Sequence, residues 1–326
     1  MGTGSWDSSR YYSGASSRKA SGVDDFAYDK IATDIHDSLK PKRINDKPFG
    51  KLESRDNADH PDSNAIIFAM DVTGSNKHNA VLAQKALPAL MTLLVDKGYI
   101  PDPQIAVFAN DDFRYEPDRC IQASDFESDN RIDDHIRNLK LVGNGGGNHQ
   151  ESYDLLLYLA ARKTVIDCLE ERGRKGYMFM YADEPVPTMV SKEAVKRVFG
   201  DSISEDISIE TIIEEVKDMY HLFVLWPIDG YQDARDQYVQ LFGEDHVISL
   251  QHPNIICQQI GSLIGMNEKN LTPSEVEDDL VSVGMSAKDA RAITQALMPF
   301  AKGGAARGLA AKLPGVGKTK GGATRL

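Results

Sequence analysis

Between residues 64 and 266 short apolar runs alternate with longer stretches of helical spacing, and this alternation admits few architectures. AIIFAMDV (65–72), PQIAVFAN (103–110), RCIQASDF (119–126), KGYMFMYADE (175–184), HLFVLWPI (221–228) and DHVISL (245–250) read as six strands. The first is apolar almost throughout, as expected of a strand buried on both faces of a parallel sheet. The segments between them, such as 76–99, 129–141, 153–172, 191–200 and 208–220, read as helices, and 254–266 closes the series with another. Strands and helices in this order predict an α/β fold: a mainly parallel six-stranded sheet with helices on both faces. Pro88 falls inside the first long helix, where it removes a backbone hydrogen bond and predicts a kink or local break.

The flanks differ from this core. Residues 1–60 are rich in Ser, Asp, Lys and Arg and read as an irregular arm that Tyr11, Tyr12, Phe26 and Tyr28 pack onto something. Residues 61–268 form the main domain. Residues 269–300 read as a small helical hairpin, with Thr272…Glu275 and Ser286…Asp289 as two helix starts. Residues 301–326 are a basic Gly/Ala/Lys tail, expected to be disordered.

The net charge is -12, and the tail carries six cations and no acid, so the body is more acidic still. An acidic body argues against nucleic acid as a ligand except through the tail. Three scattered cysteines suit buried free thiols rather than a disulfide framework or a zinc site. MGTGSWDSSR has no apolar core of a secretory signal, and no run approaches the roughly 18 residues of a membrane span. The expected location is the cytoplasm, or a virion if the chain is phage-encoded.

In parallel sheets ligands gather at the carboxyl ends of the strands. Asp71 ends the first strand, and Thr73 and Ser75 follow at alternate positions. One carboxylate and two hydroxyls on a tight turn suit a hard cation such as Mg²⁺, with Mn²⁺ or Ca²⁺ as substitutes. Two further loops reach the same edge. Gly145–Gly147 lets a backbone approach closely and leads into Asn148 and Glu151; Asp183 and Glu184 end the fourth strand. Asn110, Asp111 and Asp112 end the second strand there as well. PGVGKT (314–319) imitates a phosphate loop, but Lys312 stands where glycine is needed and neither a strand nor a helix flanks it. No Ser-His-Asp or Cys-His arrangement is legible in the spacing.

The sequence Asp-x-Thr-x-Ser, glycine loop, Asp-Glu-Pro resembles the three loops of the von Willebrand factor A (vWA) domain family. The resemblance covers roughly residues 64–266, and implies a doubly wound, Rossmann-like fold with a metal-ion-dependent adhesion site. It assigns Asp71, Thr73 and Ser75 to the first loop and Asp183 to the third. The second loop has no Thr before the helix; Asn148 stands in, with Glu151 or Ser152 as alternatives. Asp111, Asp112, Glu151 and Glu184 surround the ligands. Met1–Trp6, Glu53–Asp56, Phe126–Arg131 and the run from the glycines to Tyr153 are similar to stand-alone cytoplasmic vWA proteins of bacteria and phages.

The resemblance implies a protein-binding module rather than an enzyme. A partner's Asp or Glu completes the coordination of Mg²⁺, the partner being a MoxR-type AAA ATPase, another assembly component or a virion protein. The alternatives are a metal-dependent phosphohydrolase or phosphotransferase on the same edge, and a purely structural assembly protein that has kept the fold.

Overall fold

The computed structural model describes residues 4–41, 50–74, 76–141, 151–250 and 252–300. The tail, expected to be disordered, lies outside them. A six-stranded sheet forms the centre, built from β1 (Asn64–Asp71), β2 (Pro103–Asn110), β3 (Ile121–Ala123), β4 (Gly176–Tyr181), β5 (Tyr220–Pro227) and β6 (Val247–Leu250). Its order is β6-β5-β4-β1-β2-β3. All neighbours are parallel except β2 and β3, which run antiparallel.

The sheet is therefore mixed, a correction to the expected third strand over 119–126, which also shrinks to Ile121–Ala123. Its cause lies in chain length. A parallel return needs a crossover of a dozen or more residues. Only 111–120 separate the two strands, and the Asp111 N–H donates to the Cys120 carbonyl at 2.7 Å to close the connection.

Strand residues alternate between two cores. Ile67, Ala69, Phe108 and Met180 face one; Ile66, Phe68, Val107 and Phe179 face the other. The first is covered by α4 (Tyr153–Lys163) and α6 (Ile209–Met219), the second by α2 (Lys77–Met91), α3 (Arg131–Arg137) and α8 (Ile256–Glu268). Each large side chain so buried contributes about 1.5–3 kcal/mol. Two further helices, α5 (Lys192–Phe199) and α7 (Gln232–Phe242), extend the first layer.

Two helical expectations are corrected. The segment 153–172 is not one helix: α4 stops at Lys163, and Thr164–Ile166 forms a strand that pairs in parallel with Leu52–Ser54. Thr164, Val165 and Ile166 are β-branched, and their stiff side chains favour the extended form once a partner strand is present. The N-terminal arm is not irregular either. Ser8–Ala20 forms α1, whose Asp7 cap accepts the N–H groups of Ser9 and Arg10. Its pattern is weakly amphipathic, so the helix depends on docking: only Tyr11 is buried. The helix containing Pro88 runs on to Met91 and then gives way to a π-helical turn at Thr92–Asp96.

The C-terminal hairpin forms as expected from α9 (Pro273–Ser282) and α10 (Ala287–Leu297). Thr272 and Glu275 make a reciprocal capping box, and Ser286 accepts the Asp289 N–H. Val276, Leu280, Ile293 and Leu297 pack into the second core with α8.

Candidate functional site

Asp71 closes β1 in the middle of the sheet and is fully buried. Its Oδ1 accepts the Thr73 N–H at 2.7 Å and the Thr73 hydroxyl at 2.6 Å, which folds the turn back on the carboxylate. Its Oδ2 accepts the Tyr153 hydroxyl at 2.7 Å and the Asn76 amide at 3.3 Å. Tyr153, the first residue of α4, joins two strand ends: its hydroxyl also lies 3.3 Å from Asp183 Oδ1 and 3.4 Å from the Asp183 nitrogen.

The residues expected around this pair gather there. Asp111 and Asp112 follow β2, and Asp112 donates its N–H to Asp111 Oδ1 at 2.8 Å. Asp111 Oδ2, Glu151 Oε2 and Glu184 Oε2 are buried without a hydrogen-bond partner. Both side-chain polar atoms of Asn110, which pairs with Asp71 across the sheet, are in the same condition. Ser152 accepts the Phe113 N–H at 2.8 Å and so ties the loop after β2 to the start of α4. Ser75 and Asn148, the other expected ligands, and Gly145–Gly147 lie outside the described residues.

Burial and crowding of like charge act together on these acids. Burial, then the Asp183 carboxylate, pushes Asp71 up to about 6. Burial pushes Asp111 up to about 7, with Asp71 adding to it. Glu151 rises to about 10 through burial and then the charges of Asp71 and Glu184; Glu184 rises to about 7 through burial and then Asp183. None of the groups acting most strongly on these four acids is a cation.

Such an enclosure is costly when ionised. A buried, unpaired polar group costs about 1–3 kcal/mol, and a charged one costs more. Neutralisation comes from protons or from a cation. The donors are all hard oxygens: the carboxylates of Asp71 and Asp183, the Thr73 hydroxyl, and the unpartnered oxygens of Asp111, Glu151 and Glu184. That chemistry fits Mg²⁺, Mn²⁺ or Ca²⁺ and not a soft metal. Among the described residues, no three His, Cys, Asp or Glu side chains are grouped so as to hold a metal by themselves. A cation here would take the Thr73 hydroxyl beside the Asp71 and Asp183 carboxylates, with the other acids around them.

Two residues of the site were not anticipated from spacing: Tyr153 and Asn76. The one cue to Tyr153 is its place at the start of the helix that the glycine loop leads into, and that place does not tell a site residue from a core aromatic.

No family model matches the chain, and no curated protein matches it in sequence. Among solved structures, the chain is similar to the pilus adhesin SpaC from Lactobacillus rhamnosus GG in its open conformation. The TM-score is 0.41 and the identity 12%, covering 72% of this chain and 31% of the adhesin. A second crystal structure of that adhesin gives 0.42 and 11%, over 72% and 32% of the two chains. Proximal thread matrix protein 1 from the mussel byssus gives 0.38 and 12%, over 63% and 46%. The chain thus spans about a third of the adhesin's length and under half of the mussel protein's.

Proposed function

We propose that this chain is a metal-dependent protein-binding module of the vWA type, with Asp71, Thr73, Ser75 and Asp183 as ligands of Mg²⁺. The observation that carries the reading is the buried acidic cluster at the strand ends. Carboxylate oxygens of Asp111, Glu151 and Glu184 lie there without partners, around an Asp71 whose own oxygens are ordered by Thr73 and Tyr153. The strand order, with Asp71 on a central strand and Asp183 on its neighbour, brings the two acids to one edge and supports the same reading. Asn148, with Glu151 or Ser152 as alternatives, completes the ligand set from the glycine loop.

Bound Mg²⁺ would supply an electrophilic position that a carboxylate from another protein can occupy. The chain's own residues do the rest. Thr73 and Asn76 fix the Asp71 carboxylate, and Tyr153 keeps Asp71 and Asp183 at a constant separation. Ionised when a divalent cation binds, Asp111, Glu151 and Glu184 would add negative potential that favours it. The partner is a protein presenting Asp or Glu, of the MoxR-type AAA ATPase class or a component of a virion or other assembly. No helix among the described residues is long and apolar enough to cross a membrane.

The test is affinity capture by the immobilised full chain, with Mg²⁺ and with chelator, against Asp71→Asn. A protein retained with Mg²⁺ and lost both with chelator and on Asp71→Asn supports the module. Capture indifferent to both overturns it.

A further inference from the structure

Two segments that the metal site leaves unused, Gly4–Trp6 and Phe126–Arg131, meet at the opposite end of the sheet. Ser128 Oγ lies 3.0 Å from His60 Nε2, and His60 Nδ1 lies 3.4 Å from Asp102 Oδ1. The three residues come from separate loops, which is why spacing along the chain does not reveal them. All three line a cavity of about 420 Å³, whose wall includes Trp6 and Ile100.

Asp102 is one of two non-glycine residues with positive φ among those described, at 38°. Its Oδ2 accepts the Asp62 N–H at 2.9 Å, so its carboxylate is fixed toward His60 in a strained backbone. Strain of this kind costs about 1–3 kcal/mol and collects at functional sites.

The chain supplies its own carbonyl to this group. Gly4 O lies 2.5 Å from Ser128 Oγ and 2.8 Å from His60 Nε2. A peptide carbonyl is therefore already seated against the hydroxyl and the imidazole. The reciprocal bonds of Asp7 N–H to Asn130 Oδ1 and of Asn130 Nδ2 to Asp7 O hold the segment there. Gly4 is required for the fit: a Cβ at that position would stand 2.6 Å from Asp129 Oδ2.

We infer that Ser128, His60 and Asp102 form a serine acyl-transfer site that the N-terminal segment occupies as an internal pseudosubstrate. The class of substrate is a carboxylic ester or peptide bond small enough for the cavity. With the segment seated, His60 Nε2–H and Ser128 Oγ–H both donate to the Gly4 carbonyl. When the segment leaves, His60 gives its Nε2 proton to solvent and takes one at Nδ1, which donates to Asp102, and the Ser128 Oγ–H turns to the freed Nε2. Oγ attacks the substrate carbonyl carbon as its proton passes to Nε2, and that proton leaves on the alcohol or amine as its bond to the carbonyl carbon breaks. Water, deprotonated by His60, then releases the acid and restores Ser128. Asp102 orients the imidazole and stabilises its protonated form.

The experiment uses the full chain and an alkyl fluorophosphonate, which forms a Ser Oγ–phosphorus bond as fluoride leaves. Adducts are located by peptide mass spectrometry in wild type, Gly4→Asp, Ser128→Ala and Gly4→Asp/His60→Ala. The Gly4→Asp change sets a carboxylate against Asp129 and expels the segment. We expect labelling of Ser128 to rise about tenfold in Gly4→Asp, in proportion to the open fraction. His60→Ala in that background should lower it about a hundredfold or more, and Ser128→Ala should remove it. Absence of a Ser128 adduct in a cooperatively melting Gly4→Asp protein would overturn the assignment, as would a rate indifferent to His60→Ala. Should Gly4→Asp lose its cooperative melt, Trp6→Ala replaces it with the same two readings.

Discussion

At the scale of single residues, Tyr153 does more than any other side chain to define the candidate site. One hydroxyl touches the carboxylates of Asp71 and Asp183, from strands that are neighbours in the sheet but more than a hundred residues apart in the chain. Burial, and then the charge of Asp71, raises the Tyr153 phenol well above its ordinary value, so it serves as a neutral donor. Tyr153→Phe keeps the ring in the core and leaves Asp71 Oδ2 short of its strongest donor. We predict a loss of about 1–3 kcal/mol in a urea titration of the metal-free protein, together with weaker Mg²⁺ binding. An unchanged midpoint would remove Tyr153 from the account. The acids themselves were legible in the sequence because each ends an apolar strand. Tyr153 was not, because an aromatic at a helix start reads equally well as core, and only the fold shows its hydroxyl turned toward the strand ends.

At the scale of elements, α1 and α2 depend on each other through a gap in a helix. Pro88 has no N–H, so the Gln84 carbonyl one turn earlier lacks its usual donor. The Tyr11 hydroxyl donates to that carbonyl at 2.9 Å. Around it the Gln84 amide donates to Asp133 Oδ1 at 2.8 Å, and Arg137 holds the other oxygen at 3.0 Å. The arm helix thus repairs a defect that the sequence of α2 creates. Tyr11→Phe should cost about 1–3 kcal/mol. In a Pro88→Ala background the new N–H serves Gln84, and the cost of Tyr11→Phe should fall toward zero. Equal costs in the two backgrounds, measured as a double-mutant cycle by urea unfolding, would break the coupling. This dependence explains why the arm read as irregular. Its own pattern is too polar to predict a helix, and the reason it folds lies in a proline 77 positions away.

At the scale of the whole molecule, the hairpin α9–α10 is joined to the sheet layer by close packing around Gly265. A Cβ there would lie 2.5 Å from Tyr99 Cδ2 and 3.1 Å from Leu271. The Tyr99 hydroxyl in turn donates to Asp279 of α9 at 2.8 Å, and Lys97 pairs with the same carboxylate at 2.8 Å. Gly265→Ala should therefore destabilise the protein by about 1–3 kcal/mol by overpacking. A single thermal transition should persist if hairpin and sheet layer unfold together; a separate early transition would show that they do not. The broad architecture was readable because the hydrophobic pattern that makes buried strands also separates them from the helices. The direction of β3 was not, because it turns on the length of one connection rather than on pattern. The C-terminal end of α4 was missed because pairing with Leu52–Ser54 overrode a helical pattern.

The central claim, a cation held at the end of β1, is tested most directly by titrating Mg²⁺ into the metal-free full chain by calorimetry, beside Asp71→Ala. We predict a single saturable site in wild type, matched by a rise in unfolding free energy that reaches about 2.7 kcal/mol at a hundredfold excess over Kd. Both signals should be absent from a folded Asp71→Ala. Identical titrations of the two proteins, or no heat from wild type with either Mg²⁺ or Mn²⁺, would contradict it.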